Sequence, residues 1–200
     1  MELFTQTELT QPTQSFQSLQ DEVVTLRQRL AKVLEERDAL RQAAIDAHTD
    51  ELTGLYNRRW LRQFWNGLSA PGRQLAAVVQ IDIDRFKTIN DRYGHKIGDH
   101  AIVHVACALR RYCTNVVRTG GDEFVLLIPR DQSPEDIASS ILGEVRHPMP
   151  VPSGHLTASV SIGVCPIEVD GPVDLSDAIE RADWAMYRAK RQRGDQVVVA

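Results

Sequence analysis

The stretch RTGGDEFVLLIP, residues 118–129, joins a two-glycine turn to a run of apolar residues. With the valine pair before it, this stretch predicts a β-hairpin whose second strand is buried. The tip of the hairpin carries two carboxylates, Asp122 and Glu123. Exposed acids in a tight turn are ordinary, so the hairpin taken alone favours a plain turn over a functional site.

The neighbouring stretch LAAVVQIDID, residues 75–84, changes that interpretation, because its continuous apolar run ends in Asp82 and Asp84. Such a run predicts a central strand covered on both faces. In a βαββαβ sheet this strand can lie next to the hairpin, which would bring four carboxylates together. Carboxylates this close repel one another unless a cation is present. Oxygen ligands suit Mg²⁺ or Mn²⁺, and two such ions would stabilise the attacking and leaving oxygens of a phosphoryl or nucleotidyl transfer.

The rest of the domain supplies the other elements of this topology. The fold class is therefore α+β, a ferredoxin-like palm with an N-terminal helical extension. The predicted elements are an irregular segment at 85–98, helices at 99–113, 133–146 and 175–191, a strand LTASVSIGVCP at 156–166 and a short strand QVVVA at 196–200.

Ahead of the domain (residues 48–200) we expect a flexible polar tail at 1–14 and a coiled-coil stalk at 15–47. The stalk repeats apolar residues at alternating spacings of three and four, which is a heptad pattern. Arg37 occupies one a position, where a charge costs stability and can set the register or the oligomeric state. A parallel dimer is favoured, and a single amphipathic helix lying on its own domain is the alternative. The apolar a and d residues are Phe16, Leu19, Val23, Leu26, Leu30, Val33, Leu40 and Ala44.

Polar residues between the two acidic segments are candidates for nucleotide binding. Lys87 suits a phosphate counter-charge, and the glycines at 120–121 allow the backbone to approach a phosphate closely. Asn90 and Asp99 could read a purine, because a carboxylate can accept hydrogen bonds from guanine N1–H and N2–H, a pair that adenine lacks. Each of these residues has an equally good interpretation as a turn residue or a helix cap.

Five motifs, in order along the chain, resemble those of the GGDEF family of diguanylate cyclases. The resemblance covers residues 46–199. It implies a fold like the palm of nucleotide cyclases and polymerases, and condensation of two GTP into cyclic di-GMP with release of two pyrophosphates. The motifs are DELTGLYNRR (50–59), IDIDRFKTINDRYGHKIGD (81–99), GGDEF (120–124), SVSIGV (159–164) and ADWAMYRAK (182–190).

The resemblance also implies roles for individual residues. Asp82 and Asp122 would hold Mg²⁺ (or Mn²⁺) together with the backbone carbonyl of Ile83. Glu123 would be a further ligand or would help to deprotonate the ribose 3′-hydroxyl, and Asp84 would support the site. The residues implied to bind the substrate are the Phe86 backbone, Lys87, Asn90, His95, Asp99, Gly120, Gly121 and Lys190.

The family's mechanism implies a dimer, because each domain binds one GTP and a single domain cannot close the ring. A parallel coiled coil would raise the local concentration of the two domains and set their relative rotation. We therefore expect a homodimer through the stalk. No sensory domain is visible in the sequence, so we also expect a regulatory protein that binds residues 15–47.

Two departures from the family pattern stand out. Many relatives carry an Arg-x-x-Asp product-binding site, but the matching positions here are Arg111 and Thr114. Threonine supplies no carboxylate, so we expect weak or absent product inhibition. After the last helix the family usually reads Gly-Arg-Asn, whereas this chain reads RQRGDQ; Arg193, one position earlier, is the candidate replacement for the usual phosphate-binding arginine.

Composition and length narrow the possible functions and locations of the protein. A formal net charge of −4 argues against a nucleic-acid binder. No apolar run is long enough to span a membrane, and three cysteines at unrelated spacings fit the cytoplasm. A catalytically silent GGDEF domain that senses nucleotide or acts as a scaffold remains the main alternative, although Asp82, Asp122 and Glu123 are all present. A palm-type polymerase is weaker, because the length leaves no room for fingers or thumb.

Overall fold

The computed structural model describes residues 11–68, 71–152, 154–169 and 173–200. It divides the chain into two compact units, residues up to Asp46 and Ala47–Ala200. The described part of the first unit lies within one helix, α1 (Gln11–His48). The second unit holds the described strands and the remaining helices.

Helix α1 begins at Gln11, inside the predicted tail, with Pro12 in its first turn. Proline is tolerated there because its missing N–H would have no partner within the helix. Residues 1–10 of the predicted tail lie outside the described residues. The predicted a and d side chains are exposed along α1; Leu40, for example, is 73% exposed. The helix therefore presents an unburied apolar stripe, of the kind that marks an interaction surface.

The predicted ferredoxin-like sheet is confirmed. Its central strand is β2, which pairs antiparallel with both β4 and β7. Nearly every residue of β2 is buried, as its continuous apolar run predicts. In the described ranges the main sheet has the order β1-β3-β4-β2-β7-β8. These strands are β1 (Tyr56–Asn57), β2 (Leu75–Ile83), β3 (Val116–Gly120), β4 (Glu123–Pro129), β7 (Val160–Pro166) and β8 (Gln196–Val199), with a separate ribbon of β5 (Met149–Val151) and β6 (Gly154–Leu156).

Helices cover both faces of the sheet. Successive side chains of β2 alternate between the faces, so Val79 and Ile81 join one buried cluster and Val78 joins the other. No helix in the described ranges combines the length and the apolarity needed to cross a lipid bilayer. The first face is covered by α4 (Phe86–Tyr93), α5 (His95–Tyr112) and α6 (Pro134–Val145), the second by α2 (Arg58–Gly67) and α7 (Leu175–Arg191), and the short α3 (Pro71–Gln74) precedes β2.

Helix α6 begins at a serine cap. Ser133 Oγ accepts a hydrogen bond from the backbone N–H of Asp136. Asn57 caps α2 in the same way, because its Oδ1 accepts from the N–H groups of Arg59 and Trp60. These side chains satisfy donors that the first helical turn leaves without partners.

Two element predictions were wrong. The segment 85–98, predicted to be irregular, contains α4 and the start of α5, separated by Gly94. Helix α4 has no apolar repeat from which it could be predicted, because Ile89 is its single buried residue. The predicted strand 156–166 is two strands: Leu156 ends β6, and β7 starts at Val160. The strand pattern therefore ran across a break between two separate sheets.

Candidate active site at the hairpin tip

The structure brings the end of β2 to the hairpin tip, as the sequence predicts. Asp82 and Glu123 are direct cross-strand partners in the β2–β4 register. The backbone N–H of Ile83 donates to the Asp122 carbonyl oxygen at 3.3 Å, which ties the turn to the end of the strand. Three predicted ligand residues, Asp82, Asp122 and Glu123, thus share one edge of the sheet.

Asp82 is a buried carboxylate with only one oxygen partnered. Its Oδ2 lies 2.7 Å from the Lys190 Nζ. Its Oδ1 is buried and has no hydrogen-bond partner in the described part of the chain. Burial raises the pKa of Asp82 to about 6; Lys190 opposes this rise, and Asp122 and Glu123 add to it. Because a buried oxygen without a partner is costly, the site is suited to a cation or a hydrogen-bond donor.

These residues fit a magnesium ion that is bound together with a phosphate-bearing substrate. Within the described ranges, no three acidic, histidine or cysteine side chains are placed to hold a metal ion by themselves. Mg²⁺, however, usually takes one or two protein carboxylates and fills its other positions with water and substrate phosphate. Asp82, whose Oδ1 has no partner, and Asp122 on the adjoining turn could supply that smaller set.

Asp84 does not join the other acids, so the predicted cluster of four carboxylates is wrong in this respect. Its carboxylate accepts hydrogen bonds from Ser161 Oγ at 2.6 Å and Ser159 Oγ at 2.8 Å. It also accepts from the backbone N–H of Asp195 at 2.8 Å. Asp84 therefore joins the end of β2 to β7 and to the loop after α7, which is a supporting role.

The hairpin turn is held by an arginine that the sequence analysis missed. Arg118 Nε and Nη2 donate to the carbonyl oxygen of Gly121 at 2.9 and 2.8 Å. Its Nη1 bonds both carboxylate oxygens of Asp50 at 2.9 and 3.0 Å. The turn itself needs glycine, since Gly120 and Gly121 have φ angles of 154° and 50°. Arg118 thus fixes the backbone that carries Asp122.

The Asp50–Arg118 pair leads to a pH prediction. Burial alone raises the pKa of Asp50, but hydrogen bonds from Thr53 and Arg118 outweigh it, so the pKa lies below its ordinary value. The pair therefore stabilises the fold above the unfolded pKa, and this contribution is lost as pH falls through the lower folded pKa. We expect Asp50→Asn to reduce the free energy of unfolding by about 1–3 kcal/mol at pH 7. Urea unfolding from pH 7 to pH 3 measures it.

The difference in the free energy of unfolding between the wild type and Asp50→Asn should shrink as the pH falls toward 3. Asp131→Asn, at an exposed position, is the matched control and should change little at any pH. A difference for Asp50→Asn that stays constant down to pH 3 would show that the charge of Asp50 is not the cause.

The predicted guanine-binding residues lie on two adjoining helices, Asn90 on α4 and Asp99 on α5. Asn90 Oδ1 is buried with no hydrogen-bond partner among the described residues. A Cβ on Gly98 would collide with that oxygen, so a larger residue at 98 would displace the Asn90 side chain. The asparagine therefore packs beside the residue that precedes Asp99. Asp99 itself and His95 are exposed.

The predicted phosphate-binding residues fall in different places. Phe86 is partly buried against the core and Lys87 is exposed, both at the start of α4. Lys190 lies against Asp82 at the hairpin tip. Arg193 instead lines a cleft with Asp84 and residues 156–159, and neither Asp82 nor Glu123 lines this cleft. The geometry thus groups Lys190, but not Arg193, with the acidic residues.

Arg111 and Thr114, the positions predicted to form a degenerate product-binding site, lie at the end of α5 and just after it. Arg111 Nη1 lies 2.9 Å from Glu144 Oε1, at the end of α6. Thr114 is exposed and follows the buried Cys113. The arginine is thus paired with a carboxylate of its own domain, although Arg111 remains largely exposed.

Comparison with known proteins places the second unit in a family. The family described as "Diguanylate cyclase, GGDEF domain" matches residues 47–196. Diguanylate cyclase TpbB of Pseudomonas aeruginosa strain UCBPP-PA14 is 37% identical over 200 residues, which cover 92% of this chain and 43% of TpbB. The chain therefore spans less than half the length of this curated relative.

Two solved structures are similar to this chain over most of its length. One is the coiled coil and GGDEF domain of DgcB from Caulobacter crescentus in complex with c-di-GMP, with a TM-score of 0.76, 28% identity and coverage of 88% of this chain and 98% of that chain. The other is diguanylate cyclase SiaD in complex with its activator SiaC from Pseudomonas aeruginosa, with a TM-score of 0.67, 28% identity and coverage of 94% and 78%.

Proposed function

Because the chain belongs to the GGDEF domain family of diguanylate cyclases, we propose that it condenses two GTP into one cyclic di-GMP and two pyrophosphates. The observation that carries this proposal is the cross-strand pairing of Asp82 with Glu123 beside Asp122. All three acids are present, and Asp82 has a buried oxygen without a partner in the described part of the chain.

The chemistry follows from the acids at the tip. The 3′-oxygen of each GTP forms a bond to the α-phosphorus of the other, and the bond between each α-phosphorus and its pyrophosphate breaks. Glu123 takes the proton of the attacking hydroxyl, and Asp82 and Asp122 would hold Mg²⁺. A bound Mg²⁺ supplies positive charge that offsets the charge developing on the α-phosphate and on pyrophosphate.

The remaining residues bind and orient the nucleotide. Asp99 accepts from guanine N1–H and N2–H, with Asn90 beside it. Lys87 and the adjoining backbone at the start of α4 meet the phosphates, and Lys190 meets them from α7. Holding both reacting groups in line can contribute on the order of 7–11 kcal/mol to lowering the barrier.

Each domain binds one GTP, so the proposed active form is a homodimer, and α1 would form it. Its a and d side chains are exposed in the single chain. In a parallel, in-register pair the g and e positions face each other across the seam. Glu22 would then meet Arg27 of the other helix, and Glu36 would meet Arg41. Both pairs are of opposite charge, which favours the parallel arrangement.

We also propose that a regulatory protein binds the stalk. Val24 is 52% exposed and lies at an outward b position, away from the seam. Apolar surface therefore remains on α1 after two helices pair, as a docking partner would need. Recovery of nothing specific from cell extract by an immobilised peptide of residues 15–47 would count against this partner.

Product inhibition is expected to be weak, because Thr114 supplies no carboxylate to pair with arginine or guanine. Thr114→Asp combined with Glu144→Gln restores the carboxylate and releases Arg111. We expect the inhibition constant for cyclic di-GMP to tighten by about tenfold or more, the effect of one charged hydrogen-bonded pair. Initial rates measured with added cyclic di-GMP test this. Tight inhibition of the wild type that Arg111→Ala abolishes would contradict it.

The proposed activity is tested by incubating the purified chain with GTP and Mg²⁺ and separating the nucleotides by chromatography. Formation of cyclic di-GMP supports the cyclase. Bound GTP that is never converted, at any protein concentration, would favour the alternative of a silent nucleotide-sensing module.

A further inference from the structure

The cleft that Arg193 lines has a volume of about 340 Å³ and lies between α4 and the segment that joins β6 to β7. Asp84 forms part of its wall, and Ile89 and Ala158 are buried behind it. Its polar lining is dominated by guanidinium and hydroxyl groups, from Arg85, Thr88, Arg92, Thr157, Ser159 and Arg193.

The positive charge of this cleft is not neutralised within the described part of the chain. The side chains of Arg85 and Arg193 make no ion pair or hydrogen bond there, and the Arg92 guanidinium lies 5.1 Å from the centre of the Tyr93 ring. One carboxylate, Asp84, also lines the cleft; it accepts hydrogen bonds from Ser159, Ser161 and the Asp195 N–H, and three guanidinium groups outnumber its single charge. Three unpaired guanidinium groups around one concave surface form an anion-binding arrangement.

Two of the three arginines are held in an unfavourable backbone conformation. Arg85 has a φ of 54° and Arg193 a φ of 91°. A left-handed conformation is unfavourable for a residue with a side chain, because its Cβ crowds the following carbonyl oxygen. The surrounding bonds maintain it: Asp84 accepts the Asp195 N–H, and Arg146 pairs with the Asp195 carboxylate. Retained strain of this kind is concentrated at functional sites.

The cleft lies apart from the acids at the hairpin tip, and it takes in Arg193, the residue expected to replace the family's phosphate-binding arginine. Residues on one helix share a face when they are three or four positions apart. Thr88 and Arg92 therefore lie along one side of α4, and Arg85 is the residue just before its start. Lys87 and Asn90, the proposed substrate residues, lie along the other side. Neither Asp82, Asp122 nor Glu123 lines the cleft.

We propose that this cleft is a second anion site, which binds a phosphate group through Arg85, Arg92 and Arg193. Guanidinium groups bind phosphate oxygens bidentately, and the hydroxyls of Thr88 and Thr157 can donate to the same anion. Cyclic di-GMP and pyrophosphate both carry such groups. They are the two sources that the experiment distinguishes.

The test is isothermal titration calorimetry of the full chain with pyrophosphate and, separately, with cyclic di-GMP, in EDTA buffer. Without a divalent ion the carboxylates at the hairpin tip repel anions, whereas the cleft needs no metal. We expect the wild type to bind at least one probe. Arg92→Gln and Arg193→Gln should each weaken that binding by about tenfold, the effect of losing one charged hydrogen bond. Arg191→Gln, at an exposed position on α7, is the matched control and should leave binding unchanged.

Binding of pyrophosphate alone identifies a simple phosphate site, and binding of cyclic di-GMP identifies a product site; both support the proposal. Failure of the wild type to bind either probe would overturn it, as would equal binding by the wild type and the Arg92→Gln, Arg193→Gln double variant. Thermal unfolding of each variant checks that it is folded, and Arg92→Lys, which keeps the charge, should retain more binding than Arg92→Gln. The result does not depend on turnover, so a chain that makes no cyclic di-GMP can still confirm the site.

Discussion

Asp122→Asn is expected to lower the rate of cyclic di-GMP formation on the order of a thousandfold, because a bound Mg²⁺ contributes several kcal/mol to catalysis. Asp122 lies on the turn bonded to Ile83, beside Asp82 and Glu123. Its side chain is only partly buried, so the substitution removes charge without opening the core. Chromatography of the nucleotide products over a time course measures the effect.

The control for this experiment is Asp131→Asn, which removes an exposed aspartate beyond the end of β4. It should retain the wild-type rate. Thermal unfolding should show that Asp122→Asn is folded, and added Mg²⁺ with GTP should stabilise it less than the wild type. A rate within about threefold of the wild type would remove Asp122 from the chemistry, since that change is under 1 kcal/mol.

Leu30→Asp is expected to lower the rate by about a hundredfold at micromolar protein, because it destroys the effective concentration that the stalk provides. Leu30 is a central a position of the heptads and is 58% exposed in the single chain. A buried aspartate at the seam would separate the helices. The catalytic unit should fold normally, so the lost rate should return as protein concentration rises.

Gln28→Asp is the matched control, since it places the same charge two residues away at an outward f position. That variant should keep both the dimer and the rate. Joining residues 48–200 to an unrelated parallel dimeric coiled coil, in the same heptad phase, should restore most of the activity lost in Leu30→Asp. Full activity of a Leu30→Asp chain that sediments as a monomer would contradict the proposed role of α1.

The sequence predicts the centre of the site better than its surroundings. The apolar run of β2 and the hairpin could be recognised locally, and their pairing follows from the topology, so the proximity of Asp82 to Glu123 was predictable. The salt bridge between Arg118 and Asp50 was not, because the two residues are 68 positions apart. The clue in the sequence was Arg118 itself, a charged residue two positions before the first glycine of the turn.

The helical nature of 85–98 could not be predicted from periodicity, because α4 buries a single residue, Ile89. Asp84 illustrates a second limit. Its place in the IDID pattern suggested a fourth acid at the tip, yet Ser159 and Ser161 turn it toward β7. Such contacts depend on how distant segments pack, which the local pattern does not contain.

The proposed condensation is tested most directly by the ratio of pyrophosphate to cyclic di-GMP in one time course with GTP and Mg²⁺. Pyrophosphate and cyclic di-GMP are measured in the same samples of the wild-type chain. We expect the two products to appear together, with two pyrophosphates for each cyclic di-GMP, as the condensation requires. GTP that remains bound and intact at every protein concentration would contradict it, and so would pyrophosphate release without cyclic di-GMP.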